Sequence, residues 1–124
     1  MSEDILISIV DDQASIREAM RAILRSYGYK VATFSSAELF LRSKEMSETK
    51  CVIADLEMPG LNGLRLQTEL KSRGHRTPVI VITGYPDEKR RTDALDAGAI
   101  GFLSKPFDVE ALIECVTAAI SERK

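Results

Sequence analysis

Short apolar runs and longer runs of helical period alternate along this chain, five of each. Ile5–Val10, Val31–Phe34, Cys51–Ala54, Val79–Ile82 and Ile100–Leu103 are apolar with few interruptions, which predicts strands buried on both faces. Between and after them the spacing changes to three and four residues. Ile16, Met20, Ile23, Leu24 and Tyr27 predict a helix from about Ser15 to Tyr27. Ser15 with Glu18 reads as a capping box, and Gly28 as the stop. Ser35 with Glu38 predicts the cap of a short second helix carrying Leu39 and Phe40. A third helix is predicted from Gly63 to Arg73, ending at Gly74. A fourth runs from Asp87 to Ala97 with Gly98 behind it. A fifth starts near Asp108, with Val109, Leu112, Ile113, Val116 and Ile120 on one face. Buried strands alternating with helices predict an α/β fold with a parallel sheet covered on each side.

The fourth helix breaks the pattern. Asp87, Glu88, Lys89, Arg90, Arg91, Asp93 and Asp96 crowd it, and only Ala94, Leu95 and Ala97 offer apolar contact. It reads either as a solvated face or as a weakly docked element that moves or meets a partner.

Composition narrows the class. The 124 residues fit one domain, expected to span 1–124. A formal net charge of −2 gives no electrostatic case for nucleic-acid binding by this domain. No apolar run approaches the roughly 18 residues that a membrane span needs, and the acidic start Met1-Ser2-Glu3-Asp4 is unlike a secretory signal. Cys51 and Cys115 lie in apolar runs and read as two buried thiols of a cytoplasmic protein. A single histidine, His75, excludes a histidine-rich metal site.

The chemistry collects where strands end. Asp11-Asp12 follow the first, Asp55 the third, Thr83 the fourth, and Lys105 lies just past the fifth, whereas the second ends in Phe34-Ser35. In an open parallel sheet, ligands bind beyond the carboxyl ends of the strands where strand order reverses. The asymmetry puts the site near strands one and three and strand two at an edge. Each piece has a bland reading alone: Asp11-Asp12 and Asp55 as caps, Thr83-Gly84 as a loop, Lys105-Pro106 as a turn. Together they suit phosphoryl chemistry. Three crowded carboxylates repel unless a hard cation sits among them, and oxygen ligands suit Mg²⁺. Lys105 supplies a compact positive charge, and Thr83 a hydroxyl donor with space left by Gly84. Asp55 is then a candidate nucleophile, since carboxylates form acyl phosphates.

Four segments carry a family resemblance: Ile9-Val10-Asp11-Asp12, Asp55-Leu56-Glu57-Met58-Pro59-Gly60-Leu61-Asn62-Gly63, Val81-Ile82-Thr83-Gly84 and Phe102-Leu103-Ser104-Lys105-Pro106-Phe107. Across about residues 5 to 120 the chain resembles the receiver domain of two-component response regulators. The segment from Asp55 is close to the family's D-x-x-M-P-x-x-x-G pattern. The wording, including Phe34-Ser35-Ser36-Ala37-Glu38 and Ala97-Gly98-Ala99, is most similar to the nitrogen-fixation-type, FixJ-like branch.

The resemblance implies a flavodoxin-like (βα)₅ three-layer fold with strand order 2-1-3-4-5. It implies that Asp55 accepts a phosphoryl group from a sensor histidine kinase, with Mg²⁺ (or Mn²⁺ in its place) bound by Asp12, Asp55 and the backbone carbonyl of Glu57. Asp11 would act through a metal-bound water, and Thr83 and Lys105 would bind phosphoryl oxygens. The Lys105-Pro106 bond would be cis. Thr83 and Phe102 would switch the surface of helix four and strand five. Many receivers carry a tyrosine where Phe102 stands, so here packing rather than a hydrogen bond must hold the inward state. Glu57 and Tyr85, two residues beyond Asp55 and Thr83, would tune the lifetime of the acyl phosphate. Partners implied are the kinase and a second copy, meeting through helix four and strand five after phosphorylation. No nucleic acid or membrane partner is expected for this domain itself.

The chain would then be a signalling domain rather than a turnover enzyme, controlling output such as transcription. FixJ-like relatives continue into a DNA-binding domain, so a receiver taken from a longer regulator is favoured over a stand-alone one. Three rivals fit less well. An Asp-nucleophile phosphohydrolase needs a second Asp where Glu57 stands, and a cap. A flavodoxin-like binder needs a phosphate loop where Asp11-Asp12-Gln13 stands. A pseudo-receiver interaction module would not need the acidic set. His75 sits in a polar loop and is no phosphodonor.

Overall fold

The computed structural model describes residues 5–121. The acidic start at 1–4 and residues 122–124 of the polar end lie outside the described residues. The elements run β1 (Leu6–Val10), α1 (Ala14–Ser26), β2 (Lys30–Phe34), α2 (Ala37–Leu41), β3 (Thr49–Asp55), α3 (Gly63–Ser72), β4 (Val79–Thr83), α4 (Glu88–Asp96), β5 (Gly101–Ser104) and α5 (Val109–Ser121). A 3-10 turn at Met46–Glu48 leads into β3. The strands form one parallel sheet in the order β2-β1-β3-β4-β5, the flavodoxin-like arrangement, with β2 at an edge.

Alternate residues of each central strand feed two separate cores. Ile7, Ile9, Cys51, Ile53, Ile80, Ile82 and Leu103 face one side and pack with Met20 and Leu24 of α1 and Leu112, Val116 and Ala119 of α5. Val10, Val52, Ala54, Val79 and Val81 face the other, with Phe40 of α2, Leu66 and Leu70 of α3, and Ala94 of α4. Burial on both faces explains why the strands read as continuous apolar runs. Ser8 breaks its run without cost because its hydroxyl lies 2.7 Å from that of Thr49.

Several predicted details shift. Ser15 does not cap α1: the helix begins at Ala14 after Gln13, with no side-chain cap. Asp11 organises this turn instead, its Oδ1 accepting from the Gln13 amide at 2.8 Å and its carbonyl accepting from Arg17 at 2.8 Å. Ser36, not Ser35, caps α2, accepting from the Leu39 amide. Glu38 accepts from the Leu61 amide at 3.3 Å rather than closing a capping box. β3 starts two residues before the predicted Cys51, because the Thr49 hydroxyl is satisfied by the Glu45 carbonyl at 2.7 Å. On α5 the buried stripe is Leu112, Val116 and Ala119, while Val109 in the first turn is 39% exposed. Cys51 and Cys115 are not joined in a disulfide, and of the two predicted buried thiols only Cys51 is buried, Cys115 being half-buried. Gly28, Gly74 and Gly98 take positive φ at the predicted helix ends.

Helix α4 is docked as lightly as its composition predicts. Ala94 is its one buried residue, and Leu95 is 39% exposed. Replacing Ile53→Ala at the fully buried sheet centre should cost about 2–5 kcal/mol. Leu95→Ala should cost within about 0.5 kcal/mol, as exposed positions usually do. Urea denaturation of both variants checks the contrast.

Candidate functional site

The sheet delivers its polar residues to one end because its interior accepts only apolar ones. Asp55 is the last residue of β3 and Thr83 the last of β4, and both are buried. Asp11 directly follows β1 and is 1% exposed, whereas Asp12 is exposed. Lys105 follows β5 and starts the cis bond to Pro106. Strand pairing continues into these loops: the Leu56 amide donates to the Ile82 carbonyl at 2.9 Å, and the Lys105 amide to that of Thr83 at 2.8 Å. Gly63 opens α3 against the backbone of β3. A Cβ there would lie 3.1 Å from the Ala54 carbonyl oxygen and 3.2 Å from that of Asp55. Any side chain at this position would push α3 away from the strand end that carries Asp55.

Lys105 bridges the carboxylates. Its Nζ lies 3.1 Å from Asp55 Oδ2, 3.2 Å from Asp11 Oδ2, and 2.7 Å from Gln13 Oε1. The other Asp55 oxygen accepts from the Glu57 amide at 3.0 Å. Asp11 Oδ2 is close enough to Lys105 for charge attraction, yet no hydrogen bond is aimed at it. Burial pushes the Asp11 carboxyl above its ordinary pKa, and the Asp55 charge adds to this, against the opposing Gln13 amide and Lys105. For Lys105, burial works against the ammonium, but the hydrogen bond to Asp55 and the charges of Asp11 and Asp55 outweigh it and raise its pKa.

Asp11, Asp12 and Asp55 each offer an oxygen within 4.8 Å of the others. An all-oxygen set with one exposed member suits a hard divalent cation that keeps some of its waters. A cavity of about 390 Å³ opens beside them, lined by Asp12, Gln13, Asp55, Glu57, Gly84, Tyr85 and Lys105.

Glu57 forms the far wall. One carboxylate oxygen accepts from the Gly84 amide at 2.9 Å. The other accepts from the Thr83 hydroxyl and from Arg90 of α4, the latter at 3.1 Å. Thr83 Oγ1 in turn accepts from the Tyr85 amide at 3.0 Å. The Tyr85 ring is 68% exposed, with the Arg90 guanidinium 5.9 Å from its centroid.

The structure thus brings Asp11, Asp12, Asp55, Glu57, Thr83, Tyr85 and Lys105 to one rim. Phe102 lies behind it on β5, paired with Val81 and half-buried against the core beneath α3 and α4. Two residues of the rim were not singled out from sequence. Gln13 follows the acidic pair directly, and its place in the β1–α1 loop was the available signal. Arg90 sits among the many charges of α4, and nothing in their order shows which one faces Glu57. His75 lies at the opposite end of the sheet, in the loop before β4.

The pKa directions give a stability test. Asp11 binds its proton more tightly folded than unfolded, so its contribution is fully present below the unfolded pKa and is lost as pH rises through the folded value. Metal-free protein should therefore lose stability as pH rises out of the ordinary carboxylate range, and Asp11→Asn should flatten that loss. Urea titrations across pH 4 to 7 (about 1–3 kcal/mol per M for a small domain) check the slope.

The family description "Response regulator receiver domain" matches residues 7–117. The response regulator protein TodT of Pseudomonas putida is 39% identical over 115 residues, covering 93% of this chain and 51% of TodT. The transcriptional regulatory protein FixJ of Azorhizobium caulinodans is 38% identical over 120 residues, covering 97% of this chain and 57% of FixJ. The chain thus spans about half the length of these curated relatives. Among solved structures, FixJ-N superposes with a TM-score of 0.85 at 33% identity, covering 98% of this chain and 96% of that one. The response regulator StyR gives 0.87 at 35% identity, covering 96% and 60%. Among the described residues no helix is long and apolar enough to cross a membrane. With the fold, the strand-end residues and these matches in agreement, the chain belongs to the receiver-domain family of two-component response regulators, and it resembles the FixJ-like branch.

Proposed function

We propose that this receiver takes a phosphoryl group onto Asp55 from a phosphohistidine of a sensor histidine kinase. The observation that carries the reading is the buried Asp55 carboxylate, in contact with Lys105, at the mouth of an oxygen-lined cavity. An Asp55 oxygen attacks phosphorus, a P–O bond forms, the P–N bond breaks, and the donor imidazole keeps the bonding pair. Lys105 holds the carboxylate in place and faces the charge that builds on the phosphoryl oxygens. The Thr83 hydroxyl and the Gly84 amide are the nearby donors for those oxygens.

The oxygen set of Asp11, Asp12 and Asp55 fits Mg²⁺, or Mn²⁺ in its place, and the family resemblance would add the Glu57 backbone carbonyl as a further ligand. The bound ion would neutralise the carboxylates and the incoming phosphoryl charge. Asp11 would act through a metal-bound water.

The output follows from the same geometry. Movement of Thr83 toward the phosphoryl group vacates space that Phe102 fills, changing the face of α4 and β5. Phe102 has no hydroxyl, so packing holds its inward state. That face is the proposed contact for a second phosphorylated copy. Glu57 and Tyr85, on the cavity wall, set the lifetime of the acyl phosphate. The domain acts in the cytoplasm as a switch rather than a turnover enzyme, and it binds no nucleic acid itself. FixJ's name as a transcriptional regulatory protein supports transcription as the output, carried by sequence outside this domain.

Acetyl phosphate with Mg²⁺, read by intact mass, tests the assignment. One phosphoryl adduct is expected, absent in Asp55→Asn and without added metal. No adduct in the parent protein would favour a non-phosphorylated interaction module, and steady turnover of phosphomonoesters a hydrolase. Glu57→Ala and Tyr85→Ala should each change the decay rate of the adduct. Sedimentation should show dimers after phosphorylation, and a strictly monomeric phosphoprotein at high concentration would sink the α4–β5 contact.

A further inference from the structure

Glu57 does more than line a wall. Its two carboxylate oxygens take the one hydroxyl proton of Thr83 and the one amide proton of Gly84. On the phosphoacceptor reading, these are the donors that a phosphoryl group on Asp55 needs. Neither can serve two anions at once, because each has a single proton to give. A carboxylate that fills both positions is therefore in competition with the phosphoryl group, and like charge adds to the conflict.

The same carboxylate reaches the helix behind. The oxygen that accepts from Thr83 also accepts from Arg90 at 3.1 Å. Among the described residues this is the ion pair that joins α4 to another part of the chain, the β3–α3 loop, for Lys89–Asp93 lies within the helix and Arg90–Asp87 ties it to its own cap. With Ala94 as its one buried residue, α4 has few other ties, among them the Lys71 ammonium donating to the Ala97 carbonyl at its C-terminal end at 3.2 Å. Moving Glu57 off Thr83 moves the acceptor on which Arg90 depends.

We propose that the Glu57 carboxylate is a built-in stand-in for the phosphoryl group. In the resting protein it holds Thr83 and Gly84 and tethers α4 through Arg90. Phosphorylation of Asp55 displaces it and so releases the helix. This rests on the phosphoacceptor reading and adds a second route to α4, distinct from the Thr83–Phe102 packing route. Arg90 is a positioning residue here, acting through Glu57.

Beryllofluoride, a phosphoryl mimic, tests it on the whole chain at saturating Mg²⁺. Glu57→Ala should bind it on the order of 10-fold more tightly than the parent, because one charge-assisted hydrogen bond need no longer be broken. Without beryllofluoride, Glu57→Ala should move the Gly84 amide proton resonance upfield. It should also raise hydrogen exchange across α4 toward the rate of the beryllofluoride-bound parent. Arg90→Ala should raise α4 exchange alike while leaving the Gly84 resonance near its parent position, and its effect should vanish in the Glu57→Ala background. Glu57→Gln, which keeps shape but not charge, should free α4 as Arg90→Ala does. Equal beryllofluoride affinity in parent and Glu57→Ala overturns the displacement alone. An unmoved Gly84 resonance overturns the resting contact. Failure of both proteins to bind beryllofluoride overturns the phosphoacceptor reading and the displacement with it.

Discussion

Two carboxylates, Asp11 and Asp55, are buried side by side with one ammonium against both. Two like charges about 4 Å apart repel by roughly 4 kcal/mol at an effective dielectric near 20. The apolar sheet cannot absorb that, so every neighbouring feature acts to manage it. The Gln13 and Glu57 amides each donate to one carboxylate. Lys105 is raised rather than neutralised, because the two acids outweigh its own burial. Asp11 remains under-served, with one buried oxygen that no donor is aimed at. That oxygen has only the Lys105 ammonium, 3.2 Å away, to offset its charge, which is the condition the proposed metal ion would relieve.

The fold was legible because its driving pattern is local. A strand buried on both faces must be apolar throughout, and a helix with one buried stripe must repeat every three to four residues, so runs such as Val79–Ile82 and Ile16–Leu24 declared themselves. Errors fell where polar residues do structural work. The Thr49-Lys50 pair hid the start of β3, since the Ser8–Thr49 hydroxyl contact joins residues 41 apart. Ser15 looked like a cap because the role of Asp11 in the β1–α1 turn depends on the folded loop. The strand order 2-1-3-4-5 came from family likeness, because nothing in the period of a strand names its neighbours.

The site was legible as a list and illegible as a network. Strand ends placed Asp11, Asp12, Asp55, Thr83 and Lys105 together, since consecutive parallel strands bring their carboxyl ends to one edge. Sequence position gave Glu57 only as an acid on the rim. Its contacts reach 26 residues to Thr83 and 33 to Arg90, and both depend on how the loops after β3 and β4 close over each other. Gly63 shows the opposite case. It was read as part of a motif, and the structure supplies the reason: α3 touches the backbone that presents Asp55.

These contacts bear on how a small chemical event could move a helix. To invert a 1:99 equilibrium a ligand must favour one state by about 5.5 kcal/mol. A Phe102 without a hydroxyl gives only packing to the active state, so on the proposed reading the gain there is modest. Destabilising the resting state serves the same end, because only the difference between states counts. On the proposed reading the resting protein strengthens its hold on α4 with one carboxylate, in contact with Thr83 and Arg90 and placed where a second anion would arrive. Arrival of that anion would subtract from the resting state as well as add to the active one. A helix with a single buried alanine then needs less further help, which on the proposed reading a second copy at the α4–β5 face supplies.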